Sequence, residues 1–524
     1  MNRPPRSLQS RRVTTFAAVT GAMPKLGVVI VAILAAAALL AQTPRSRAPA
    51  MLGALVLAPV LLLVDIWNSP QLAVVHRHPL LALAGAVVAL AVVLALAWLI
   101  FRRPALLAPL VVLALPFRVP IQAGGTTSNL LVPLYLVVAA GTLAAIAMNL
   151  KGQARPPLSR FQRWVPRLLA LYVVLYGIQS VYSADFEKAL QQMVFFYVPF
   201  ALLFVLLVSL EWTPSLLRGC LHVLIALALL FALVGFIEYA TKTIFLNPKL
   251  VAANEVHAYF TVNSVFFDPD IFGRFLAIVM IIVAGPLLFG RNPRQQIEVS
   301  GILAVLWAAL VLTLSRSSLA ALLVGLGTLA ALRWRMRQVA VVAAALVVAG
   351  VIAVTVSPNT FGLNQGANGA SSGRASLISG GIDLFAQRPV WGYGSGSFST
   401  EYSRQHPGTT KTLSASHAIP VTIAAEQGLI GELSYVALVL VAAGVMLAGA
   451  RGDPARAVVG AAFLALVFHT LLYADFLEDP AAWTLLGVGT ALAAGRPATA
   501  AARRRVSDEP APVPAQRRHP APSV

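Results

Sequence analysis

"PLLALAGAVVALAVVLALAWLIF", residues 79–101, decides the fold class. A run this long and this apolar is a membrane helix, because crossing the hydrocarbon core takes roughly 20 mostly apolar residues and leaves the backbone to bond within itself. Similar stretches recur at 130–149, 190–210, 216–240, 270–289, 338–356 and 430–449. The segments 26–42 and 104–116 are shorter and could be re-entrant or pair with a neighbour. The composition agrees: of 524 residues 58% are hydrophobic and 11% charged, against roughly 25% charged in an average soluble domain. The sequence therefore predicts an all-α, polytopic integral membrane protein with roughly 12–15 transmembrane helices.

Charge orients the chain. The net charge of +20 would suggest nucleic acid in a soluble protein. Here the basic residues gather in short loops, as the positive-inside rule requires of cytoplasmic loops, so no nucleic-acid partner is expected. Basic clusters lie at 151–167, 291–294, 333–337, 451–456 and 503–505. They alternate with "SADFEKAL" (183–190), "NEVHAYFTVNSVFFDPD" (254–270), the long loop 357–418 and "ADFLEDP" (474–480). That places the C-terminus inside and the 357–418 loop outside. The basic N-terminus (Arg3, Arg6, Arg11, Arg12, Lys25) fits an inside location only if one early short segment fails to cross. The first helix reads as an uncleaved span, since many more follow it. Four regions result: a basic N-terminal segment 1–25, N-terminal helices 26–250, a second membrane domain 251–495 with outer loop 357–418, and a disordered cytoplasmic tail 496–524 rich in Pro and Arg.

In such a chain chemistry belongs where polar residues gather on one face. The 357–418 loop mixes aromatics with apolar periodicity around 375–386, which predicts a folded cap with a short amphipathic helix. Its "WGYGSGSF" supplies glycines for tight turns but lacks the lysine and the strand–helix context of a phosphate loop. In "LTLSRSSLAALLVG" (312–325), Arg316 either snorkels to the interface or forms an anion site, since a guanidinium forks onto phosphate oxygens. In "VNSVFFDPDIFGRFLA" (262–277), Asp268 and Asp270 read as helix-start carboxylates, with Arg274 a further anion candidate one turn on. Pro420 predicts a helix starting near 419, which puts His417 at its N-terminal end. The dipole there favours a neutral imidazole able to take a proton, although a bound phosphate would push the other way and simple hydrogen bonding at a helix start is the plain alternative.

Other groups are less promising. His76, His78 and His406 lie in loops. His222 and His469 sit in apolar segments, where hydrogen bonding between helices is the default. No histidine spacing suits a metal site, the lone Cys220 forms no intrachain disulfide, and the acidic residues Asp475, Glu478 and Asp479 are what the topology rule permits on an outer loop. No metal or cofactor is expected.

Together these residues resemble a family. "SGRASLISGGIDLFAQRPVWGYGSGSF" (372–398) followed by "SHAIPVTIAAEQGLIGELSYVALVL" (416–440) is similar to the signature region of the O-antigen ligase and O-antigen polymerase superfamily. The family pattern has an arginine before a helix, a "P-x-x-G-x-G-x-G-x-F" turn, an "H-N" pair, and "E-x-G-x-x-G" leading into a span. "TLSRSS" (313–318) resembles its "S-R" motif and "FFDPDIFGRFLA" (266–277) its "N-P-N" segment. The likeness covers about 266–445. Two positions depart: Ala418 replaces the asparagine after the histidine, and Asp270 the second asparagine of "N-P-N".

The resemblance implies a membrane glycosyltransferase at the outer face of the bacterial inner membrane, moving a glycan from undecaprenyl diphosphate to a hydroxyl of a glycan, lipid or protein. It implies that Arg316 and Arg374 hold the diphosphate and that His417 activates the acceptor; Arg274 stays a secondary candidate for the same anion from its position alone. Such chemistry is sensible without a metal, because two guanidiniums can stabilise the charge that builds on the leaving diphosphate, and attack from the opposite side would invert the anomeric centre. The composition suggests a GC-rich bacterium and a capsular, exopolysaccharide or cell-wall glycan. Ligase and polymerase are not separated by these motifs. The rival class is a polysaccharide or lipid-linked sugar transporter or flippase, which would place ionisable groups near the membrane midplane and show repeated halves.

Overall fold

A computed structural model describes residues 8–67, 76–123, 126–152, 158–246, 250–251, 254–255, 259–290, 292–334, 338, 374–407, 415–473 and 475–494. Eleven helices among these residues are long and apolar enough to cross a membrane, and Pro104–Ala114 and Pro480–Ala494 are shorter apolar helices. The chain is an all-α polytopic membrane protein. In order the helices are α1 (Leu8–Leu40), α2 (Pro44–Ile66), α3 (Pro79–Arg102), α4 (Leu107–Ala114), α5 (Val132–Leu150), α6 (Trp164–Ser180), α7 (Phe186–Gln192), α8 (Val198–Val208), α9 (Pro214–Thr241), α10 (Pro269–Phe289), α11 (Pro293–Leu312), α12 (Arg316–Arg333), α13 (Arg374–Gln387), α14 (Phe398–Gln405), α15 (Ile419–Leu447), α16 (Pro454–Leu472) and α17 (Pro480–Ala494). A short antiparallel hairpin, Val119–Ala123 with Thr126–Leu130, joins α4 to α5. The span expected at 338–356 (apart from residue 338), the whole of 357–373, and the tail 496–524 lie outside the described residues.

The sequence dictates where helices begin. Many open with proline in the first turn, where its missing N–H costs nothing. The preceding residue often supplies a side-chain acceptor: Thr43, Thr213, Asp268, Asn292, Ser315 and Asp453 each accept an N–H of their helix's first turn. At a membrane face such caps satisfy donors that would otherwise be costly. The face of α3 is largely exposed, with Leu80, Leu81 and Val88 on its surface, as expected of a helix that meets lipid.

The N-terminal end departs from the charge expectation. Lys25 Nζ lies 5.8 Å from the centre of the Phe186 ring, and Val28 and Ala32 pack on Gly177 near the end of α6. The first described span therefore starts at the same end of the bundle as the 183–190 loop. The segment 104–116, suspected of not crossing, consists of a 3-10 turn and α4, which the hairpin carries on to α5.

Candidate functional site

The predicted loop helix exists as α13, opening on Arg374, and the predicted start near 419 is the start of α15. Between them the glycine-rich turn is bolted to a break in α15. Gly428 there adopts φ 66°, ψ −165°, a conformation essentially confined to glycine. The break frees carbonyls of α15 for partners elsewhere: Tyr393 N–H donates to Ala425 O at 3.1 Å, Gly394 N–H to Glu426 O at 2.8 Å, and Leu429 N–H reaches Pro389 O at 2.7 Å. The Glu426 side chain accepts from Gly396 N at 2.8 Å and Phe398 N at 3.0 Å, closing the start of α14. The amides of this turn thus serve the fold rather than a phosphate. The "G-x-G-x-G" and "E-x-G" elements form one joint that fixes the cap carrying Arg374 over the start of α15.

The second cluster sits at the starts of α10 and α12. Asp270 receives Arg374 Nη2 at 3.0 Å, while Arg374 Nη1 donates to Leu472 O at 2.9 Å. The other carboxylate oxygen of Asp270 accepts from Ser315 Oγ and, at 3.0 Å, from Ser317 Oγ. His469 Nε2, from α16, lies 3.3 Å from Ser317 Oγ and 3.2 Å from Ser318 Oγ. Arg274 Nη2 pairs with Asp479 at 2.7 Å, both nearly fully buried, and its guanidinium lies 5.8 Å from the Tyr473 ring centre. Arg274 Nη1 is buried with no hydrogen-bond partner among the described residues.

Tyr473 links the halves. Its ring stands 5.8 Å from that of His417 and 5.7 Å from that of His469. Its hydroxyl bonds the Asp268 carboxyl, which burial, then Asp270, pushes above the usual range. Burial, then Asp268 and Asp475, keep the phenol well above its ordinary value, so it stays protonated. The His417 imidazole is held below 6.5 by burial first and Arg374 second, with Asp475 and Asp270 opposing. It is therefore neutral near pH 7, as the helix-start argument requires, and its Nδ1 is buried without a partner among the described residues.

His417 is held by its neighbours, not by the residue that follows it. It sits at φ 59°, in the left-handed region. Ala418, at the N-cap of α15, makes no side-chain cap. Ser416 and Thr422 act instead: Ser416 Oγ bonds Thr422 Oγ1 at 2.8 Å and accepts from Ala418 N at 3.2 Å, and Ser416 N donates to Thr422 Oγ1 at 3.1 Å. The second departure also has a consequence, since the carboxylate of Asp270 pairs with Arg374 where an asparagine would offer no charge.

Arg274, Arg374 and His417 thus converge around Asp270 and Tyr473. Arg316 opens α12 with its side chain exposed, while the serines beside it bind Asp270. Sequence reasoning read Asp270 as a helix-start carboxylate and His469 as an ordinary interhelical histidine. It passed over Tyr473 and the serines of "SRSS". The i, i+4 spacing of His469 and Tyr473, on one helix face beside an acidic loop, was the available signal.

The fold and this cluster define a multi-pass membrane protein whose polar chemistry is gathered at one end of its helices. Residues 301–436 match the family model described as O-antigen ligase, and this stretch contains Arg316, Arg374, His417 and Glu426. This match supports the O-antigen ligase/polymerase superfamily and a membrane glycosyltransferase-like role in polysaccharide biosynthesis. No curated protein matches the chain.

Proposed function

We propose that the chain is an inverting, metal-independent glycosyltransferase of the bacterial inner membrane, its site on the outer face, that moves a glycan from undecaprenyl diphosphate to a hydroxyl acceptor in cell-surface polysaccharide synthesis. His417 takes the acceptor's hydroxyl proton as the oxygen bonds the anomeric carbon. The bond from that carbon to the diphosphate oxygen breaks, and its electron pair leaves on the diphosphate. Arg374 and Arg274 receive that charge, with Arg316 at the approach. Asp270 and Asp479 fix the two forks, a preorganisation that lowers the cost of stabilising charge in the transition state.

The observation that carries this reading is the convergence of a neutral, partly buried imidazole with two carboxylate-anchored guanidiniums at one end of the bundle. An apolar groove of about 120 Å³ supports it, running from Arg274 and Asp479 between α4, α9, α10 and α17 past Ile271, Phe275, Ile278 and Leu224. The first isoprene of a polyprenyl tail would lie there, the rest in the surrounding lipid, with its diphosphate at Arg274.

The test is genetic. Cells deleted for the gene should accumulate glycan on the lipid carrier and lose the corresponding surface polymer. Wild-type sequence should restore both, and His417→Ala and Arg374→Ala, present at equal levels in the membrane, should restore neither. Full restoration by both variants would sink the assignment of the site.

A further inference from the structure

A second cavity lies beside the segment that carries His417. It measures about 290 Å³ and is walled by Tyr172, Tyr176, Tyr197, Gln192, Lys188 and Glu478. Ala415 and Ile419, two residues before and after His417, also line it, as does Asp475. Asp475 acts electrostatically on the His417 ring, so the imidazole lies close to this cavity without lining it.

The segment 475–479 divides the two spaces. Asp479 faces the apolar groove and Arg274, while Glu478 faces the cavity. Their chemistries are opposed. The groove has arginines at its head and hydrocarbon along its length, which suits a lipid diphosphate. The cavity has tyrosine rings and amides with Asp475, Glu478 and Glu426 against Lys188. Carboxyl groups exchange hydrogen bonds with sugar hydroxyls, and aromatic faces pack against the C–H faces of a sugar ring.

The wall is also prepared. The Tyr176 hydroxyl donates to Gln192 Oε1, and Gln192 Nε2 donates to Glu478 Oε1. Burial, then Asp475, raises the Glu478 carboxyl to about 8. A π-helical turn, Met193–Tyr197, interrupts the helix immediately after Gln192. Such turns are rare and occur often at functional sites. The volume lies at the lower end of ligand pockets, about 300–1,000 Å³, which fits one sugar unit better than a glycolipid.

We propose that this cavity is the acceptor subsite: it holds a neutral pyranose of the acceptor glycan between the tyrosines and the Gln192–Glu478 pair, presenting a ring hydroxyl to His417. This rests on the glycosyltransferase reading and names its acceptor class, a sugar rather than a lipid or protein hydroxyl.

The test uses full-length protein in lipid nanodiscs and, as probe, the free oligosaccharide released by mild acid from the same cells' carrier-linked glycan. Binding is followed by ligand-observed NMR, and transfer by the KM for the oligosaccharide. Gln192→Ala and the milder Gln191→Ala, which alters another lining residue, should weaken binding and raise the acceptor KM at least tenfold for Gln192→Ala and severalfold for Gln191→Ala. His417→Ala should instead lower kcat and leave oligosaccharide binding in place. If transfer proceeds and both variants keep the wild-type KM, the subsite is refuted while the glycosyltransferase stands. Should the oligosaccharide bind wild type and fade in both variants without any transfer, the cavity is a sugar site and the transferase reading fails. No binding to wild type overturns the proposal.

Discussion

Gly428→Ala probes the joint that holds the cap in place. A Cβ at this position would stand 2.3 Å from Val390 O and 2.6 Å from Trp391 N, on a backbone at φ 66°, ψ −165°. Holding a non-glycine residue there costs about 1–3 kcal/mol. The overlap also forces residues 389–394 away from α15, endangering the bonds Leu429 N–H to Pro389 O and Gly394 N–H to Glu426 O. Each buried group left unpaired costs about 1–3 kcal/mol, so the total is about 2–9 kcal/mol if one to two groups are lost. Gly219→Ala is the matched control, since a Cβ there meets nothing within 4 Å. Equilibrium unfolding in mixed micelles measures both. The expected result is a large loss for Gly428→Ala, with little change for Gly219→Ala and faster proteolysis of the 389–398 turn in the first variant alone. Equal stability of the two would refute the claim that this break is a structural joint.

Three further outcomes follow from the same geometry. His417→Ala should lower transfer about 10²- to 10⁴-fold. In the wild type kcat/KM should fall as pH drops through an apparent value below 6.5, because burial and then Arg374 disfavour the protonated ring, and this acid limb should vanish in the variant. Asp270→Asn removes the charge partner of Arg374, a bond of about 1.5–3 kcal/mol. The expected loss in kcat/KM for the lipid-linked donor is about 10- to 150-fold, read from initial rates. Ala418→Asn supplies the missing cap of α15 and should raise stability by about 0.5–2 kcal/mol in the same unfolding assay.

The sequence made the helices legible because lipid imposes one simple rule, an uninterrupted apolar run. Pro79–Arg102 and Pro269–Phe289 match their expected limits within a residue or so. The start of α15 was readable from Pro420 alone. The parity of the N-terminal half was not, because Lys25 lies at the site end of the bundle despite its charge, and the segment 104–116 forms only a short apolar helix. Among site residues the arginines and His417 stood out, because a charge or imidazole is conspicuous in apolar sequence. Asp270, Tyr473 and His469 did not, since their importance comes from meeting residues about 50 to 200 positions away. The role of Glu426 was equally hidden: the motif around it resembled a family signature, but only the fold shows that it closes the glycine turn.

The most direct test is a reconstituted reaction. Purified protein in lipid is given undecaprenyl diphosphate oligosaccharide from its own cells, in EDTA, and carrier diphosphate and glycan product are quantified. The account predicts that wild type releases the carrier and extends or attaches the glycan, and that His417→Ala and Arg374→Ala each lose this activity while remaining folded. A carrier left intact by wild type, with the lipid-linked sugar moved across the bilayer instead, would contradict it and identify a transporter.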